Sequence, residues 1–129
     1  MDPGDLGLDA ILVINVRRFV ERRRHVEAQL ARFGLQGQFV HEHDAEDITP
    51  AEDARWFAGT ELNRGQKSCA LKHVAAMQRV AASGWQHCLV LEDDVVLADD
   101  FTDGVRAALA ETRDAPRPYV IYLGAGGNF

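Results

Sequence analysis

The chain has 129 residues, of which 47% are hydrophobic and 26% charged, the make-up of one globular α/β-sized domain (1–129) able to bury a core without staples. Its net charge of −6 weighs against a nucleic-acid partner. No apolar run approaches the roughly 20 residues needed to cross a bilayer, and "MDPGDLGLDA" lacks the basic start and long apolar stretch of a signal peptide, so neither secretion nor membrane spanning is expected. Cys69 and Cys88 fit no metal or redox spacing and lie in apolar segments, which predicts buried, reduced thiols in a cytoplasmic protein.

"AILVINV" (10 to 16) is a short, β-branched apolar run and predicts a first strand buried on both faces. Phe19, Arg23, Val26, Leu30 and Phe33 then recur at helical spacing, with Gly34 as a stop, and predict a helix over 18 to 33. "QFVHEH" (38 to 43) predicts a second strand, closed by the turn-forming "DAEDITPAED". Residues 44 to 62 give no clear period and are left irregular, with "ARWFA" either a short helix or a loop that packs its aromatics. Asn63 with Gln66 resembles a capping box, and Ala70, Val74, Met77 and Ala81 form a helical stripe that ends near Gly84. "HCLVLE" (87 to 92) predicts a third buried strand, Asp99 or Asp100 a cap for the helix carrying Phe101, Val105 and Leu109, and "YVIYL" (119 to 123) a fourth strand. The alternation implies a mostly parallel sheet covered by helices. The chain closes on "GAGGNF" with no further helix, as expected of a piece truncated at its C-terminus.

Charge is uneven along the chain. Arg17, Arg18, Arg22, Arg23 and Arg24 cluster early, whereas Glu42, Asp44, Glu46, Asp47, Glu52 and Asp53 form a stretch with no basic residue. Both read first as solvated surface. The arginines also suit peripheral contact with an anionic membrane beside a lipid-linked acceptor.

"LVLEDDVVL" places Glu92, Asp93 and Asp94 at the carboxyl end of the third strand, where open α/β sheets bind ligands. In extended backbone, residues two apart share a side, so Glu92 and Asp94 converge and Asp93 is turned aside. Two convergent carboxylates suit Mn²⁺ or Mg²⁺ completed by water and substrate phosphates. A solvated turn whose acids cap the next helix is the alternative. A receiver domain is excluded because its acidic strand opens the domain and no lysine follows Asp94. A P-loop is absent, and the first strand-to-helix turn has no glycine for a dinucleotide. His41, His43 and Asp44 lack the further ligands a zinc site requires.

"ERR" (21 to 23), "HDA" (43 to 45), "CALKHVAAM" (69 to 77) and "LVLEDDVVL" together resemble glycosyltransferase family 25, in order and in approximate spacing. The resemblance covers nearly the whole chain, as the N-terminal part of a member. It implies a GT-A-like, Rossmann-like fold and inverting, metal-dependent transfer of a sugar, typically galactose from UDP-galactose, to lipopolysaccharide or another glycan or lipid-linked saccharide acceptor. On it, Glu92 and Asp94 hold the metal against the diphosphate, with Asp93 available. Asn15, Val16 and Arg17 at the first-strand turn and Asp44 at the second-strand end face the nucleotide-sugar, and His73 on the central helix either contacts it or, buried and hydrogen-bonded, orients the site. Arg22 and Arg23 either bind diphosphate or tie the helix to a sheet-edge acid, the second being favoured. The chain departs from the family pattern at Gln66, usually an acid, and at Lys72, usually a serine; Lys72 reads as a phosphate contact or as a solvated charge. No residue is assigned as general base. A non-catalytic nucleotide-sugar-binding or regulatory module is the alternative function.

Overall fold

The computed structural model describes residues 1–124. Three strands form a parallel sheet: β1 (Ala10–Ile14) at the centre, β2 (Gln38–Val40) on one side and β3 (Cys88–Glu92) on the other. Four α-helices accompany them among the described residues: α1 (Val20–Ala31), α2 (Pro50–Phe57), α3 (Arg64–Ser83) and α4 (Phe101–Glu111). The first two strands and the helix between them follow the expected β-α-β order, with each element ending two or three residues short of its predicted limit.

β1 is buried along its whole length because helices cover both faces of the sheet. Its side chains alternate. Ile11 and Val13 pack with Val26 and Leu30 of α1, Leu89 of β3 and Val105 of α4, whereas Leu12 and Ile14 pack with Val40 and with Ala76 of α3. Each fully buried aliphatic side chain here contributes about 1.5–3 kcal/mol relative to exposure.

The helix starts follow local chemistry. Asn63 accepts from the Gln66 amide at 2.9 Å while Gln66 Oε1 accepts from the Asn63 amide at 2.9 Å, and Gly84 closes α3 in the left-handed region at φ 69°. The same device opens α2. Thr49 and Glu52 cap each other, with Pro50 at the first helical position, so the segment expected to be irregular holds a helix. Asp100 occupies the N-cap position of α4 without a side-chain cap bond, and Asp99 pairs instead with Arg32 at the C-cap of α1.

The predicted fourth strand does not form. Residues 119 to 123 make no ladder with the sheet, and Val120 and Tyr122 are 67% and 90% exposed. Strand propensity reflects the fit to a half-buried pleated surface, and no helix of the described residues packs over this run. Tyr119 is tied down by its hydroxyl, 2.8 Å from His87 Nε2. The rest of the closing "GAGGNF" beyond Gly124 lies outside the described residues.

Candidate functional site at the carboxyl end of the sheet

The strand order creates a switch point. The chain passes from β1 to β2 on one side and returns to place β3 on the other side of β1, so the connections leaving β1 and β3 diverge and open a crevice at their carboxyl ends. The residues that line it follow from the register. Ile14 pairs with both Val40 and Glu92, so Asn15, His41 and Asp93 form the next row across the three strands.

That row is a buried polar layer. Asn15, 1% exposed, donates through Nδ2 to Asp93 Oδ2 at 2.9 Å, and its Oδ1 lies 3.0 Å from His41 Nε2. A carboxylate only accepts, so the amide nitrogen of Asn15 faces Asp93 and its oxygen faces His41, which requires the proton of His41 on Nε2. Burial, then the charge of Lys72, pushes the His41 pKa down, which favours the neutral ring that this single donation uses. On the far side of Asp93, Arg22 Nη1 lies 3.5 Å from Oδ1. Arg22 therefore ties α1 to the sheet-end acid, as favoured for the basic pair, while Arg23 pairs with Glu27 along the helix at 3.9 Å.

Asp93 is turned away from Glu92, as strand alternation dictates, but it turns into this layer and not out to solvent. Backbone extension ends at Glu92, and Asp93 and Asp94 form a turn that leaves Asp94 exposed. The loop beyond is fastened to α1. His25 Nε2 donates to the Val95 carbonyl at 2.7 Å, the Leu97 amide donates to Gln29 at 2.9 Å, and Arg32 donates to the Leu97 carbonyl at 3.0 Å.

Glu92 faces the other side, toward α3. His73 Nε2 donates to its Oε1 at 3.0 Å, and Cys69, one helical turn earlier, points its sulfur at the same oxygen from 3.9 Å. Cys69 is half-buried, as is Cys88, where full burial was expected. Burial and then the neighbouring Glu92 charge push the Cys69 thiol up, and burial raises that of Cys88 to about 11.

Lys72 corrects both readings made from its position before His73. It is neither a solvated charge nor a free phosphate contact: it is 1% exposed, with Nζ 2.6 Å from Asp44 Oδ1 and 2.9 Å from each of the His41 and Glu42 carbonyls. Asp44 is itself 2% exposed and accepts from the Arg17 amide at 3.4 Å through Oδ2. Burial pushes its carboxyl up, but the hydrogen bond and charge of Lys72, with the Arg17 amide, win and hold it below its ordinary value. Asp44 thus fixes the first-strand turn from behind.

The turn itself carries Asn15, half-buried Val16 and exposed Arg17, and is closed by the Phe19 amide on the Val16 carbonyl at 2.9 Å. Arg18 and Arg22 lie over the Phe19 ring at 5.2 and 5.1 Å. The early arginines and the acidic stretch prove to be partners: Arg17 reaches Asp47 at 3.5 Å and Arg18 reaches Glu46 at 3.9 Å. Such exposed pairs contribute little, about 0–1 kcal/mol each, so the arginines are loosely held rather than locked.

The structure thus places a buried acid-amide row, the central helix carrying Cys69 and His73, and a basic first turn at one end of the sheet. The family model for glycosyltransferase family 25 (LPS biosynthesis protein) matches residues 8–123. The chain belongs to glycosyltransferase family 25. Relatives include the human "inactive glycosyltransferase 25 family member 3", 26% identical over 135 residues that cover 95% of this chain and 22% of the human protein. A glycosyltransferase 25 family member of Drosophila melanogaster is 25% identical over 92% of this chain and 21% of its own length. Mouse procollagen galactosyltransferase 2 is 23% identical over 95% of this chain and 21% of its own length. The family 25 chain thus spans about a fifth of the length of the curated relatives it matches. No solved structure matches it at comparable significance. Among the described residues, no helix is long and apolar enough to cross a membrane.

Proposed function

We propose that the chain is the nucleotide-sugar-binding part of a family 25 glycosyltransferase that transfers galactose from UDP-galactose, with inversion, to lipopolysaccharide or another glycan acceptor, at the cytoplasmic face of a membrane. The observation that carries the reading is the coincidence of the switch point between β1 and β3 with the Asn15–Asp93 layer, the basic Arg17, Arg18 and Arg22 rim, and the exposed Glu92 and Asp94 carboxylates.

The donor set at Glu92 and Asp94 is all oxygen and solvent-accessible, which suits Mn²⁺ or Mg²⁺. Such an ion, when bound, stabilises the negative charge on the departing nucleoside diphosphate. The chain's own residues supply the rest. Backbone groups at Val16 and Arg17 meet the nucleotide, and the guanidinium group of Arg17 meets the diphosphate. Asn15 and Asp93 hold the turn at fixed height beneath it. His73 orients Glu92, and Asp44 supports the Arg17 amide.

A second reading keeps donor binding and drops transfer, and it draws on the human relative whose name calls it inactive. Calorimetry with UDP-galactose, with and without Mn²⁺, tests what the two share: binding that appears only with Mn²⁺ is expected, and absent or metal-independent binding overturns both. Incubation with labelled donor and saccharide acceptors then separates them, since transfer supports the enzyme and donor binding without transfer supports the module.

A further inference from the structure

Cys69, His73 and Glu92 bring one sulfur, one ring nitrogen and one carboxylate oxygen within 4.8 Å of one another. We propose that these three side chains form a binding site for Zn²⁺ or a similar borderline-soft ion, through Cys69 Sγ, His73 Nε2 and a Glu92 oxygen, with water in the fourth position. The ligand set is the first reason. A sulfur and an imidazole favour Zn²⁺ over the hard ions that an all-carboxylate set takes, and three protein ligands with one open position is a recurrent tetrahedral zinc arrangement.

Geometry is the second reason. Ligands at ordinary Zn–S and Zn–N lengths in a tetrahedron lie about 3.5 Å apart, and the Glu92 oxygen already stands 3.0 Å from His73 Nε2 and 3.9 Å from Cys69 Sγ. The third separation, Sγ to Nε2, is within 4.8 Å, so binding draws those two atoms together by at most about 1.3 Å. On binding, the Cys69 thiol releases its proton to solvent, and the proton that His73 Nε2 gives to the Glu92 hydrogen bond moves by way of solvent to Nδ1, so that Sγ and Nε2 each present a lone pair.

Preorganisation is the third. The residue before each helical ligand is locked on the neighbouring face of α3: Ser68 donates to the His43 carbonyl at 2.6 Å, and Lys72 holds Asp44 and two carbonyls. The i, i+4 pair therefore projects from a fixed backbone toward the end of a fixed strand. The site needs no nucleotide; it shares Glu92 and His73 with the proposed donor site, so it is tested without donor.

The 129-residue chain is titrated with Co²⁺ and then with Zn²⁺, following absorbance. A thiolate-to-Co²⁺ band in the near ultraviolet that Zn²⁺ removes is expected. Cys69→Ser abolishes the band, and His73→Ala weakens Zn²⁺ binding by at least about tenfold. In the unmodified chain, saturating Zn²⁺ slows alkylation of Cys69 by at least about tenfold, with Cys88 followed separately by peptide mapping. Absence of the band, its persistence in Cys69→Ser, or alkylation of Cys69 at the same rate with and without Zn²⁺ overturns the proposal. The alkylation result decides if Cys69→Ser does not fold.

Discussion

Lys72 and Asp44 are the ion pair on which the site rests. The amino group reaches two carbonyls at the end of β2 and the carboxylate beneath the Arg17 amide, so one buried cation joins α3, the second strand and the first-strand turn. Removing one member of such a pair strands the other charge in the interior. Lys72→Met is expected to cost about 3–5 kcal/mol in urea unfolding, and Lys72→Met combined with Asp44→Asn to recover part of that loss, the two carbonyls remaining unpaired. A loss below about 1 kcal/mol in the single variant contradicts this account. The pH dependence has a definite sign. Because the Asp44 carboxyl is held below its ordinary 3.8, its contribution is in full force above that pH and disappears as pH falls through its lower folded value. Thermal melts between about pH 6 and about pH 2 are expected to show that acid loss in the native chain and less of it in the double variant. The sequence carried Lys72 only as an oddity before His73, since burial of a lysine depends on what faces it across the fold. Asn15 and Asp93 were both marked, but their direct bond needed the strand register.

At the scale of elements, the strongest signals were local and the structure keeps them. The Asn63–Gln66 box and Gly84 bound α3 as the spacing predicts. Thr49, Pro50 and Glu52 carry an equivalent signal for α2, hidden because the helix is only 8 residues long and its turn-forming acids read as loop. β2 stops at Val40, earlier than "QFVHEH" suggests, because His41 is drawn into the polar layer and His43 turns the chain at φ 66°. The close approach of α1 and β1 depends on Gly37, which enters β2. A Cβ there would stand 2.7 Å from Val13 Cγ2 and 3.2 Å from Leu30 Cδ1, and the neighbours are core side chains with little room. Gly37→Ala is therefore expected to destabilise by about 1–3 kcal/mol through overpacking, read as a lower urea midpoint at unchanged slope. A neutral result would mean that β2 and α1 separate more easily than their packing implies.

At the scale of the molecule, the alternation of apolar runs and helical stripes made the parallel sheet legible, and four short motifs in order made the family legible. Two things were not. "YVIYL" alone predicts the fourth strand, although a strand needs a covered face as well as a β-branched composition, and Val120, Tyr122 and Leu123 face solvent. The neighbourhood of Glu92 was also hidden. Cys69 and His73 announce a shared helix face by their spacing, but only the position of α3 over the end of β3 joins them to the carboxylate. The same topology supports the central claim, that the nucleotide-sugar is held at the switch point between β1 and β3. Backbone amide shifts of the ¹⁵N-labelled chain on addition of UDP with Mg²⁺ test it most directly. The account predicts perturbations concentrated in Asn15–Phe19 and Glu92–Val95; shifts centred elsewhere, or none at saturating UDP, would contradict it.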